Sequence, residues 1–296
     1  MTVLGLAMLI YGANILVDGA AGIAKKKGIS GHVIGVTLVA TATSLPELAT
    51  AVTAAIDGES GIAIGNIVGS NAFNVGIVLA LSVMIMPVIS DSMVKRDGFF
   101  VWGATMLFAL LALDGIARWE AFILLVLYLA YVFYLFKATK LSGEIEVGEK
   151  GYPILFLMFL GGFILLCIGS PVLVTSAKEL AIEVGVDSSV IAVTLIAAGT
   201  SLPELLTGII AAVKGHEGMA VGNVLGSNLF NILMIPGIAG LIRNLEVNTL
   251  FSRAMIPAMM ILTVLAVVLS WRKMSKFAGI LLFLGFCAFM VLLVQI

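Results

Sequence analysis

Charge is scarce in this chain. Only 11% of its 296 residues are charged, 16 basic against 17 acidic, where a soluble domain carries roughly a quarter. A net charge of −1 gives no basic surface for nucleic acid. Histidine and cysteine are almost missing, at two each. Cys167 and Cys287 both fall in apolar segments and read as small core residues, so no disulfide framework is expected. Without imidazole or thiolate clusters, zinc and copper sites are not expected either, and no cofactor is called for.

Hydrocarbon fills the space that charge leaves. Some 61% of the residues are hydrophobic, and apolar stretches long enough to cross a bilayer follow one another with little between them. The spacing predicts an all-α membrane protein with ten transmembrane helices, at roughly 2–24, 31–57, 61–86, 99–114, 118–137, 153–178, 187–213, 218–241, 250–271 and 276–296. The first segment is as long as the others and lacks a cleavage-like flank, so it reads as a span and not as a signal peptide. The longest polar stretch, with Glu144, Glu146 and Glu149, divides the chain into 1–137, a linker at 138–152, and 153–296. Five spans per half is an odd number, so the second half should enter the membrane inverted relative to the first. Lysine and arginine set the orientation. One set of loops holds Lys25, Lys26, Lys27, Lys95, Arg96, Lys137, Lys140, Lys150, Lys214, Arg272, Lys273 and Lys276; the other holds Arg118, Lys178, Arg243 and Arg253. That bias of 12 to 4 makes the first side, with the linker, cytoplasmic and places both termini outside the cell. The lipid bilayer is the expected partner; no obligate protein partner is evident.

A duplication underlies the two halves. Val33 to Asn74 returns, shifted by 157 residues, as Val190 to Asn231, with 25 of 42 positions identical. Both copies carry T-S-L-P-E, at Thr43–Glu47 and Thr200–Glu204, and then G-N-x-x-G-S-N-x-F-N, at Gly65–Asn74 and Gly222–Asn231. Similarity continues upstream, where Gly12–Ala20 matches Gly169–Ala177. Polar atoms inside such apolar segments point to an intramembrane site. Pro46 has no N–H and removes the helical partner of the Ala42 carbonyl, and Pro203 does the same to Gly199. Residues before a proline avoid helical geometry, so a helix from Val33 should break at Thr43–Leu45. The break is expected to free the carbonyls of Ala40–Thr43 and of Ala197–Thr200, an arrangement suited to a cation. Glu47 and Glu204 add full charge. Ser70 and Asn74 share one helical face, as do Ser227 and Asn231. Two carboxylates ringed by neutral oxygens would suit calcium, with about 6–8 oxygen ligands, or sodium. A plainer reading is a capping box, with Ser44 capping its own helix and Glu47 reaching back. The glycines of the second motif read as close helix packing, Asn66, Asn71, Asn223 and Asn228 as hydrogen bonds between helices, and His32 and His216 as solvated.

The paired T-S-L-P-E and G-N-x-x-G-S-N blocks resemble the α-repeats of the cation/calcium antiporter superfamily, which includes prokaryotic sodium/calcium exchangers. The resemblance covers essentially the whole chain. It implies that Glu47 and Glu204 are the central calcium ligands and that Thr43, Ser44, Thr200 and Ser201 add side-chain or carbonyl oxygens. It implies carbonyls of Ala40 and Ala197 for sodium, beside Ser70 and Ser227, with Asn74 and Asn231 lining the middle. It also implies that the first and sixth spans form a mobile pair, and that three sodium ions exchange for one calcium, moving net charge. The chain departs from the family pattern at Ala42, where Gly199 is its counterpart, and at Asn231, where potassium-dependent relatives carry aspartate. Proton-coupled relatives share the architecture, so a calcium/proton antiporter is the alternative. A cation channel would need no counter-ion, and an intramembrane hydrolase would need a histidine at motif depth.

Overall fold

A computed structural model describes residues 1–88, 91–138, 150–183, 197–271 and 273–295. Helices account for nearly all of it: α1 (Thr2–Lys27), α2 (Gly31–Thr43), α3 (Leu45–Asp57), α4 (Ser60–Ile85), α5 (Ser92–Leu111), α6 (Arg118–Ala138), α7 (Tyr152–Glu183), α8 (Ala197–Thr200), α9 (Leu202–Val213), α10 (Glu217–Ile242), α11 (Phe251–Ser270) and α12 (Lys276–Gln295). With 26 residues, α1 rises about 39 Å, more than the hydrocarbon thickness of a bilayer. It stops at Gly28, whose φ of 61° turns the chain in the left-handed region that glycine tolerates.

Among the described residues, seven helices are long and apolar enough to cross a membrane, and α2 with α3, bent by 45°, makes an eighth. The expected fourth span begins in α5, whose first turns carry Lys95, Arg96 and Asp97. Most of the linker and the first part of the expected span at 187–213 lie outside the described residues.

Packing falls into two bodies. Helices α1 and α7 lie against each other along most of their length. Small residues permit this: a Cβ on Gly19 would sit 2.6 Å from the Phe159 backbone nitrogen, and one on Gly162 would sit 2.5 Å from the Gly12 carbonyl oxygen. The other body centres on α4 and α10, with the bent helices α2–α3 and α8–α9 laid across them. Here α2 and α10 meet backbone to backbone. A Cβ on Gly222 would strike the His32 carbonyl and one on Gly226 the Val36 carbonyl, so the packing expected of these glycines is present. In the first copy, Gly65 faces the Phe251 ring and Gly69 has nothing within 4 Å among the described residues.

Two features depart from expectation. Wide π-helical turns interrupt α2 at Gly35–Val39, α4 at Asn74–Leu79 and α10 at Phe230–Met234, and one opens α11 at Phe251–Met255; such turns insert one extra residue and gather at functional sites. His32 is not solvated. It is 3% exposed, its Nε2 lies 2.8 Å from Asp97 Oδ2, and Arg96 Nε donates to Asp97 Oδ1 at 2.6 Å. A buried aspartate needs such partners, and they fasten the start of α2 to α5.

The α2–α10 contact is therefore sensitive to size. Gly222→Val should destabilise the bundle by about 1–3 kcal/mol through overpacking, read as a lower unfolding temperature in detergent; an unchanged value would mean that the two helices do not touch there.

Candidate ion-binding site

The two T-S-L-P-E segments fold alike. Ser44, at φ −89° and ψ 6°, leaves helical geometry between α2 and α3; Ser201, at φ −90° and ψ 7°, does so between α8 and α9. Pro46 and Pro203 then occupy the first turns of α3 and α9, a position proline tolerates well within the helix it opens, although its missing N–H leaves the carbonyl four residues earlier without a helical donor. The break thus falls where the prolines place it. Glu47 and Glu204 sit in those same first turns, at the end of each helix whose unpaired N–H groups favour negative charge.

Both glutamates are fully buried, at 0% exposure. They are held crosswise. Ser44 Oγ donates to Glu204 Oε1 at 2.9 Å, and Ser201 Oγ donates to Glu47 Oε1 at 3.0 Å. Neither serine caps its own helix, so the capping-box reading fails: each hydroxyl serves the other half's carboxylate. The second oxygen of each carboxylate, Glu47 Oε2 and Glu204 Oε2, is buried with no hydrogen-bond partner among the described residues.

More polar atoms on the same and neighbouring helices lack partners among the described residues. Among the described residues, Ser70 Oγ and both amide atoms of Asn74 on α4, and Ser227 Oγ and both amide atoms of Asn231 on α10, are buried without partners, as are Thr200 Oγ1 and Thr207 Oγ1. Buried polar atoms are rarely left alone, and a group of them points to a ligand. Among the described residues no cluster of three or more His, Cys, Asp or Glu side chains forms. The donor set is two carboxylates plus neutral oxygens, which suits a hard cation.

The remaining expected residues divide. Thr43 Oγ1 lies 3.3 Å from the Ala40 carbonyl and donates to Asn223 Oδ1 at 3.3 Å. The Ala40 carbonyl is not free as expected: it accepts the Ser44 N–H at 3.0 Å, because helical bonding runs on until Ser44. Ala197 opens α8. Asn66 does join helices, donating to the Glu47 carbonyl at 3.0 Å, whereas Asn71 bonds to Ile67 within its own helix. Asn223 joins helices as expected, by accepting from Thr43, and is thereby brought to the motif; Thr207, one turn after Glu204, adds a buried hydroxyl with no partner among the described residues. The motif spacing carried the signal for Asn223, since it matches Asn66; for Thr207 the signal was its match to Thr50.

The sequence pattern of the sodium/calcium exchanger protein family matches residues 1–137 and 154–295. Sodium/calcium exchanger MaX1 of Methanosarcina acetivorans is 34% identical, over 99% of this chain and 97% of the relative. The inner membrane protein YrbG of Escherichia coli is 28% identical, over 99% and 95%. Among solved structures, the sodium-calcium exchanger NCX_Mj superposes with a TM-score of 0.88 at 30% identity, covering 98% of this chain and 96% of that one.

Two carboxylates buried side by side repel each other and miss their hydration. Glu47→Gln should therefore unfold, in chelator, at a temperature no lower than the parent's, with a gain of about 2–4 °C for each kcal/mol recovered. It should also lose most of the upward shift that calcium gives the parent. A thermal melt with and without calcium reads both; a variant that calcium still stabilises like the parent would remove Glu47 from the site.

Proposed function

We propose, for a chain that belongs to the sodium/calcium exchanger protein family, that Glu47 and Glu204 form the one site through which its two ions pass in turn. The chain is a multi-pass membrane transporter that exchanges sodium for calcium. The observation that carries the assignment is the crossed pair: two fully buried carboxylates, each bonded by the other half's serine, each with an oxygen left over.

Calcium would take the free oxygens of both glutamates with neutral oxygens of Thr43, Ser44, Thr200 and Ser201, towards the about 6–8 ligands it prefers. Sodium would use the same carboxylates together with Ser70, Ser227, Asn74, Asn231 and the backbone at Ala40 and Ala197. Because both ions need both carboxylates, occupancy by one excludes the other. An unoccupied site would carry two charges across a dry barrier, which is costly in hydrocarbon, so the transporter changes sides only when loaded. Three sodium ions against one calcium would move net charge.

The same reading places ten spans in two inverted repeats of five, 1–137 and 153–296, joined by a cytoplasmic linker at 138–152, with both termini outside. The equal backbone geometry at Ser44 and Ser201 supports two equivalent halves. Helices α1 and α7 would move as a pair over the rest, which their close mutual packing supports.

Radiolabelled calcium uptake into sodium-loaded proteoliposomes tests this. Uptake should stop when choline replaces internal sodium, and should respond to an imposed voltage. Glu204→Gln should abolish uptake while eluting as a folded protein. Uptake that persists in choline and follows a proton gradient would favour calcium/proton exchange instead, and parental rates in Glu204→Gln would refute the site.

A further inference from the structure

The two halves differ at one hydrogen bond that their sequences make visible. Pro203 deprives the Gly199 carbonyl of its helical donor, as Pro46 deprives that of Ala42. In the second half the loss is made good by a residue from another helix: Ser170, on α7, is buried and its Oγ donates to the Gly199 carbonyl at 2.5 Å. The position equivalent to Ser170 in the first half, 157 residues earlier, is Ala13 on α1, which has no hydroxyl. Its counterpart therefore cannot reach the Ala42 carbonyl with any side-chain donor.

Contact at this point is close. A Cβ on Gly199 would lie 2.7 Å from Val174 Cγ2, one turn further along α7. So α7 rests on the backbone of α8, fastened by Ser170 and fitted by Val174. Gly199 is bonded directly to Thr200, which precedes Ser201, the donor to Glu47. Orientation of the Gly199 peptide is thus passed on to the Thr200 and Ser201 oxygens.

We propose that Ser170 is a positioning residue for ion binding: its hydroxyl fixes the orphaned Gly199 carbonyl and so holds the Thr200–Ser201 half of the site in binding geometry. The tie exists on α7 and not on α1, so the halves of the site are held unequally, and a shift of α7 displaces the second half first. This last consequence rests on the reading above, in which α1 and α7 move; the positioning role does not.

Equilibrium calcium binding in detergent, alongside uptake in proteoliposomes, tests the role with Ser170→Ala and Ser170→Thr in the full chain. Loss of one buried hydrogen bond should raise the half-saturating calcium and sodium concentrations about three- to tenfold, with the maximal rate per folded protein within about twofold of the parent. Threonine, which keeps the hydroxyl, should restore parental values. If the alanine variant does not fold, Ser170→Cys, of similar size and a weak donor, should shift half-saturation in the same direction. Unchanged half-saturation, a loss confined to maximal rate, or threonine behaving as alanine would overturn the proposal. Failure of the moving-pair reading shows separately: Lys214 Nζ, at the end of α9, lies 2.7 Å from Asp18 Oδ1 on α1, and a short bifunctional thiol crosslink between Asp18→Cys and Lys214→Cys that leaves exchange undiminished would refute the motion while the binding comparison stands.

Discussion

Two carboxylates with no exposed surface must be kept inside an apolar bundle, and the architecture around them follows from that demand. Hydrocarbon offers no water to solvate them, and their mutual repulsion adds to the cost. Three local devices oppose it. Each glutamate lies in the first turn of a helix, where unpaired N–H groups supply partial positive charge. Each accepts one serine hydroxyl. Each keeps one oxygen uncommitted, and that remainder is what a cation can compensate. The helix breaks are needed for the first device, because an unbroken helix would have no N-terminus at that depth.

The crossed serines make the site a property of the whole chain. Neither half could complete it, since Glu47 depends on Ser201 and Glu204 on Ser44. Close approach of the halves is then a structural requirement, and glycines provide it. Gly222 and Gly226 let α10 reach the backbone of α2, while the His32–Asp97–Arg96 cluster fastens the start of α2 on its other side. Both contacts hold the start of the bent helix, two turns and more before the break at Ser44.

Much of this was legible from residue order because the causes are local. Proline without an N–H, at a fixed spacing from the glutamate, sets where the helix breaks and which turn carries the charge. The duplication placed both copies of the motif and pointed to a shared site. Other features depend on partners distant in sequence. That Ser44 would serve Glu204 and not its own helix is decided by the approach of two segments 160 residues apart, and a local capping box has the same spelling. Asp97 reaches His32 across 65 residues, so the histidine looked like a loop residue. Residue order alone predicts a free Ala40 carbonyl, as if proline unwound the whole preceding turn; the turn keeps one more helical bond, from the Ser44 N–H. The π-helical turns have no spelling that distinguishes them from ordinary helix.

Duplication and inequality have to be reconciled in one molecule. Repeated motifs give the two carboxylates equivalent surroundings, which suits an ion held midway between them. Two positions at which the repeats are not identical set the halves apart. At the position where α7 carries Ser170, α1 carries Ala13; where α8 has Gly199 beneath Val174, α2 has Ala42. A single hydroxyl and a single methyl group distinguish how each covering helix meets its half of the proposed site, while the carboxylates, threonines and serines of the repeated motif stay the same. Binding chemistry and its mechanical connection to the bundle are thereby separable, the former written in the repeated motif and the latter in the two helices packed over it.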